Sequence, residues 1–231
     1  MKMHFSFRRI AAAALAVSMI LVSESAFSAS PFSPEDVLAF KSCYELAISP
    51  LGEWIACTVS VPRTASDAPG GAYGELWLIS TATLVQHPFI TGKVNVREPQ
   101  FDASGSRLAF LMARGDDAKT QVWMIPVAGG EATQVTSSET DVSTFRWHPA
   151  GDRIAYVATT PRSKLEKDLD KKGYGFTFYE ENLKDRNLYM LKIGKDGGVG
   201  EAQRITEGCS VWGFEFSPDG RTIAAGISPK I

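Results

Sequence analysis

The sequence predicts an all-β fold: a partial β-propeller of about three four-stranded blades plus the start of a fourth, preceded by a signal peptide and a short helix. Three observations carry this. A hairpin turn recurs four times, an aromatic-centred strand follows each of the first three turns, and helical periodicity is scarce between them.

The turn is the clearest repeat. It reads Ile48-Ser49-Pro50-Leu51-Gly52-Glu53-Trp54-Ile55-Ala56, then Phe101-Asp102-Ala103-Ser104-Gly105-Ser106-Arg107-Leu108-Ala109. The third copy is Trp147-His148-Pro149-Ala150-Gly151-Asp152-Arg153-Ile154-Ala155, and the last Phe216-Ser217-Pro218-Asp219-Gly220-Arg221-Thr222-Ile223-Ala224. A strand ends on an apolar residue, and Ser, Asp or His opens a turn. Pro, where present, presets φ, and Gly supplies the position at φ > 0. The next strand restarts with Ile or Leu toward the core and Ala for close sheet packing.

The second element is Glu75-Leu76-Trp77-Leu78-Ile79, then Gln121-Val122-Trp123-Met124-Ile125, then Asn187-Leu188-Tyr189-Met190-Leu191. Polar strands return in Ala132–Thr136 and Ala202–Thr206. The turn glycines at 52, 105, 151 and 220 are spaced 53, 46 and 69 residues apart, against roughly 40–50 per blade in propellers. An insertion between Pro161 and Lys184 accounts for the longest interval. The expected blades are about 44–98, 99–144 and 145–212, with the next starting over 213–231. A closed sandwich is the alternative architecture. The tryptophans 54, 77, 123, 147 and 212 recur at repeat positions and are expected in the core.

Two segments lie outside the repeat. Ser33-Pro34-Glu35-Asp36 reads as an N-cap, Pro at the first helical position and an acid two further on, opening a short helical lead-in over 29–43. The charge-dense Ser163–Lys172, with Leu165 and Leu169 four apart, is expected to be a solvated loop or a single helical turn.

The first residues read as a targeting signal. Lys2, Arg8 and Arg9 precede an apolar run of 13 residues from Ile10 to Val22, and Ala26-Phe27-Ser28 offers small residues for cleavage after Ser28. The run is short for a membrane span of about 20 residues. Export to the periplasm or beyond follows, with residues 1–28 removed and no stable span left after cleavage. An uncleaved anchor is the alternative. Without residues 1–28, Lys+Arg falls from 24 to 21 and Asp+Glu from 26 to 25, so the net charge moves from −2 to −4. This mildly acidic balance with no basic stripe argues against nucleic acid as a partner.

Chemistry is sparse. No G-x-S-x-G elbow occurs, and Gly208-Cys209-Ser210-Val211-Trp212 lacks the closing glycine. His148 occupies a turn position, and His87 has no partner at suggestive spacing. The glycines 194, 197, 198 and 200 read as a hairpin loop and not as a phosphate cradle. Three cysteines, at 43, 57 and 209, leave at least one free. Cys43 and Cys57 are the only close pair, as a disulfide or as two small buried apolar residues. No catalytic residue, metal site or cofactor is expected.

The entry Phe32-Ser33-Pro34-Glu35-Asp36-Val37-Leu38 and the turn with its strand, Ile48 to Ser60, resemble the SPEDLL and SPDGKWIAYTVS opening of the prolyl oligopeptidase family, in particular its acylaminoacyl-peptidase-like serine peptidases. The insertion leading to Arg186-Asn187-Leu188-Tyr189 is similar to that family's long loop before R-x-L-W. TolB-like periplasmic propellers share the hairpin. The family usually has Asp before the turn glycine, and only Asp219-Gly220 keeps it. The resemblance implies the non-catalytic propeller portion of an exported peptidase acting on short peptides. The propeller would gate a hydrolase domain that carries a Ser-Asp-His triad, and this chain alone would be inactive. The alternative is a TolB-like module that binds an envelope protein. Tyr179-Glu180-Glu181 is similar to the double glutamate that captures a substrate amine in dipeptidyl peptidase IV-like relatives, which would make Glu180 and Glu181 substrate-binding. An exposed acidic loop explains the same residues.

Overall fold

The computed structural model describes residues 32–115, 118–175 and 183–229. The chain divides into two units, 1–39 and 40–231. In the first, helix α1 (Pro34–Ala39) begins as the sequence dictates. The Ser33 hydroxyl accepts from the Asp36 amide at 3.2 Å, and the Asp36 carboxylate accepts from the Ser33 amide at 2.8 Å. That reciprocal cap lowers the pKa of the Asp36 carboxyl.

The second unit is built of antiparallel meanders. Strands β1 (Ser42–Ile48), β2 (Trp54–Val61), β3 (Tyr73–Ser80) and β4 (Gln86–Ile90) form the first sheet. The second comprises β5 (Arg97–Phe101), β6 (Arg107–Met112), β7 (Gln121–Pro126) and β8 (Thr133–Gln134). The third comprises β9 (Val142–Trp147), β10 (Arg153–Thr159), β11 (Arg186–Lys192) and β12 (Gln203–Arg204). A hairpin of β13 (Ser210–Phe216) and β14 (Ile223–Ser228) follows. The first strands are neighbours in order, β1 beside β5, β5 beside β9 and β9 beside β13. Sheets stacked through their first strands are the blades of a propeller. Among the described residues β1 pairs only with β2 and β14 only with β13, so the circle of sheets is not closed.

Strand alternation builds the cores. On β6, Leu108, Phe110 and Met112 face the first sheet, packing with Ala56, Leu76 and Leu78. Ala109 and Leu111, on the opposite face, pack with Phe145, Trp147, Ile154 and Tyr156 of the third. β10 repeats the division: Ile154, Tyr156 and Ala158 face back toward the second sheet, while Ala155 and Val157 face Val211 and Phe214 of the hairpin. A period of two therefore lets one strand serve two cores.

The four turns are copies of one another. The opening residue's carbonyl accepts from the turn glycine's amide at 2.8, 3.0, 2.8 and 2.8 Å. The glycines sit at φ of 73°, 71°, 70° and 70°. A β-carbon on Gly220 would lie 2.5 Å from the His148 ring, whereas one on Gly52 would meet nothing within 4 Å.

Two expectations are corrected. Lys164–Lys171 is an α-helix, α2, and not a loop or a single turn. Ser163 and Glu166 form a full capping box that the charge density obscured. Trp212 is 52 % exposed. It lies on a hairpin that lacks further strands among the described residues, with Arg186 over its ring at 4.9 Å.

Gly52→Ala and Gly220→Ala separate backbone strain from crowding. Gly52→Ala is expected to cost about 1–2 kcal/mol, the left-handed penalty alone. Gly220→Ala is expected to cost more, because His148 must also move. Urea denaturation of the two variants checks the order.

Candidate functional site

The first strand of each sheet carries a charged residue on the inner side of the arrangement: Glu45 on β1, Glu98 on β5, Arg146 on β9 and Glu215 on β13. They are linked. Arg146 Nε donates to Glu215 at 2.8 Å, and its Nη1 pairs with Glu98 at 3.4 Å. Thr144 Oγ1 donates to the same Glu98 oxygen at 2.8 Å. The Glu98 amide donates to Glu45 at 2.6 Å, and Thr58 Oγ1 donates to Glu45 at 3.3 Å. Glu98 adopts φ of 50°, which turns its amide toward Glu45 and interrupts the β5–β6 register between Arg97 and Gln100. A cavity of about 360 Å³ opens among Glu45, Leu46, Glu98, Pro99, Gln100 and Arg146. Two carboxylates, Glu45 and Glu98, line it beside the Arg146 guanidinium, whose other face is held by Glu215; the excess of negative charge suits a cationic or amine-bearing group.

A second cleft, about 750 Å³, lies between the second and third sheets at their turns. Its wall is held by Arg107, whose Nε donates to the buried Asp102 at 2.8 Å. Arg107 also donates to the carbonyls of Gly151 at 2.7 Å and Gly194 at 3.3 Å, and lies over Trp147 at 5.2 Å. His148 makes the corresponding link onward. Its Nδ1 accepts from the Ala150 amide at 3.1 Å, so in the neutral ring Nε2 carries the proton and donates to Gly220 O at 3.1 Å.

Each third strand carries a buried polar residue within its first three positions, whose role the pattern did not reveal. Gln121 accepts from Thr136 at 2.7 Å and Ser138 at 2.9 Å. Asn187 donates to Thr160 at 2.7 Å and accepts from Thr206 at 3.4 Å. Glu75 accepts from the Gly92 amide at 2.9 Å. The signal was present as Glu75, Gln121 and Asn187 at one repeat position, and it marks anchors for the outer strands.

Other sequence candidates fall as follows. Ser210 is buried at the start of β13 and accepts from the Arg186 amide at 3.1 Å. His87 stacks edge-on with Trp54 at 5.9 Å. Gly194 and Gly198 close a hairpin loop at 2.7 Å. Glu180, Glu181 and the cleavage position at Ser28 lie outside the described residues. Among the described residues no three His, Cys, Asp or Glu side chains gather as metal ligands would. Among them, too, no helix is long and apolar enough to cross a membrane.

These features compare with known proteins as follows. No protein-family model matches the chain. It is 38% identical over 78 residues to the uncharacterized protein YidR of Escherichia coli, covering 32% of this chain and 19% of that one. It is 25% identical over 189 residues to the uncharacterized peptidase YuxL of Bacillus subtilis, covering 71% of this chain and 28% of that one. Among solved structures it is similar to the acylaminoacyl peptidase of Pyrococcus horikoshii, at a TM-score of 0.54, 12% identity, 75% of this chain and 27% of that. It is also similar to TolB of Acinetobacter baumannii, at a TM-score of 0.50, 17% identity, 80% of this chain and 37% of that. The fold is that of a β-propeller. The chain spans less than a third of the length of the curated relatives it matches.

Two outcomes are expected here. Arg107→Met should lower stability by about 3–5 kcal/mol, since it leaves the Asp102 carboxylate buried without its partner. Adding Asp102→Asn should recover part of that loss in a urea-melt cycle. The second concerns α2. The Lys184 ammonium, followed by the Ser163 amide and hydroxyl, holds the Glu166 carboxyl down at about 2 from an ordinary 4.5. A depressed carboxyl stabilises the fold above its unfolded value and loses that contribution as pH falls toward the folded one. Protection of the 164–171 amides, taken relative to the intrinsic exchange rate at each pH, should therefore hold at pH 5 and fall between pH 4 and 2, and Lys184→Met should move that loss to higher pH.

Proposed function

We propose that this chain is the propeller portion of an exported serine peptidase. In this reading the propeller gates the access of short peptides to a catalytic domain outside the 231 residues. The observation that carries it is the match to a peptidase over 71% of this chain, together with a propeller fold similar to that of acylaminoacyl peptidase. The charged side chains of the four innermost strands support it. Glu45, Glu98 and Glu215 outnumber Arg146, so an approaching peptide amine meets net negative charge. The propeller restricts entry, and hydrolysis belongs to a nucleophile that this sequence does not contain.

A second reading has its own support. The likeness to A. baumannii TolB extends over 80% of this chain, in keeping with a periplasmic propeller that binds an envelope protein without catalysis.

The test is to express the complete reading frame that contains this sequence and treat it with a fluorophosphonate probe for activated serines. Labelling and cleavage of short peptide anilides are expected for the full product, and neither for the 231-residue polypeptide. A full product that takes no label and cleaves nothing overturns the peptidase reading. Co-purification of that unlabelled product with one envelope protein supports the second. Export has its own readout: intact mass of the periplasmic product should show residues 1–28 removed, and a retained N-terminus contradicts export by cleavage.

A further inference from the structure

β1 and β2 bring two cysteines onto one face of the first sheet. The register pairs Cys43 with Val59 and Leu46 with Cys57, and Tyr44 is the extra residue of a bulge between Cys43 and Glu45. Side chains alternate along a strand, so Val59 and Cys57 share a face. Cys43, opposite Val59, therefore lies diagonally across from Cys57. All three cysteines are free thiols. Cys57 is 2 % exposed, whereas Cys43 is open to solvent. Cys43 Sγ donates to the Glu45 carbonyl at 4.0 Å, and burial first, then the neighbouring Cys43 thiol, push the Cys57 thiol up to about 12.

Diagonal neighbours in a regular ladder stand about 7–8 Å apart, and a disulfide spans Cα distances of about 4.4–6.8 Å. The bulge breaks that regularity at the required place. Cys43 is also the second residue of β1, near a strand end, where backbone adjustment costs least. The pair has one reachable sulfur and one sheltered sulfur, an arrangement suited to stepwise exchange.

We propose that Cys43 and Cys57 are a redox-sensitive pair, closing to a cross-strand disulfide that staples β1 to β2. The oxidant is a disulfide of low molecular weight or of a protein oxidase. The Cys43 thiolate attacks one of its sulfurs, forming a mixed disulfide at Cys43 and releasing one thiolate. Cys57 then gives its proton to the thiolate released in the first exchange and attacks the Cys43 sulfur, expelling the second thiolate. Two protein thiols become one disulfide and the oxidant becomes two thiols. Cys209 precedes β13 and takes no part. The bridge closes a loop of 15 residues, 43 to 57, and acts mainly by restricting the unfolded chain.

The test is oxidation of the purified chain with oxidised glutathione, followed by thiol titration in denaturant and peptide mapping without reductant. One titratable thiol is expected in place of three, with a linked peptide pair containing Cys43 and Cys57. Oxidised protein should melt roughly 5–10 °C above reduced protein. Cys43→Ser, at an exposed position, should leave folding intact and abolish the shift, whereas Cys209→Ser should keep it. Three remaining thiols, a glutathione that stays on Cys43, or a bridge involving Cys209 would each overturn the proposal.

Discussion

The structure depends on the two-faced character of the middle strands. A sheet of four short strands cannot bury enough apolar area alone, and each must share both faces with neighbours. β6 and β10 carry that requirement almost by themselves. Leu108 and Phe110 look one way from β6, Ala109 and Leu111 the other, and all four are fully buried. The near-continuous apolar runs Leu108–Met112 and Ile154–Ala158 follow from this. A one-residue slip in either strand would exchange two cores at once, so register is fixed from both sides.

The turns add a second, sequential coupling. Gly105 seats against Pro50, Gly151 against Ala103, and Gly220 against His148. Each glycine contacts the turn of the sheet before it, so a residue chosen for φ > 0 also spaces the sheets. Arg107 and His148 reinforce those seats with bonds to Gly151, Gly194 and Gly220. Gly52, first in the series, seats on nothing among the described residues. The repeat thus encodes the order of the sheets around the axis as well as the hairpin within each.

Much of this was legible because it rests on local chemistry repeated at long intervals. The turn residues, the alanines at 56, 109 and 155, and the cap at Ser33 each announce a conformation without reference to distant partners. Trp212 was misread because repeat position implies burial only where a neighbouring strand supplies the cover. α2 was misread because its capping box was overshadowed by its charges. The inner charged lining was invisible for a different reason. Among these four, Glu98 and Arg146 are linked over 48 residues and Arg146 and Glu215 over 69, while Glu45 is joined to the Glu98 amide over 53. No spacing rule connects them, and only the stacking of first strands does.

The two outermost faces bind these points together. Leu46 and Ile48 on β1 are 68 % and 67 % exposed, and Ile227 on β14 is 62 % exposed. Such faces seek cover, as the inner ones have it. Cys57 pairs with Leu46 across the first sheet, so the thiol pair belongs to one of these uncovered faces. A layer packed on that face would shield Cys43 from oxidants and hold β1 by packing. The bridge therefore matters most while that face is open, when β1 is held by β2 and by its contact with β5. Redox chemistry and packing thus bear on the same strand, each restricting its register against β2.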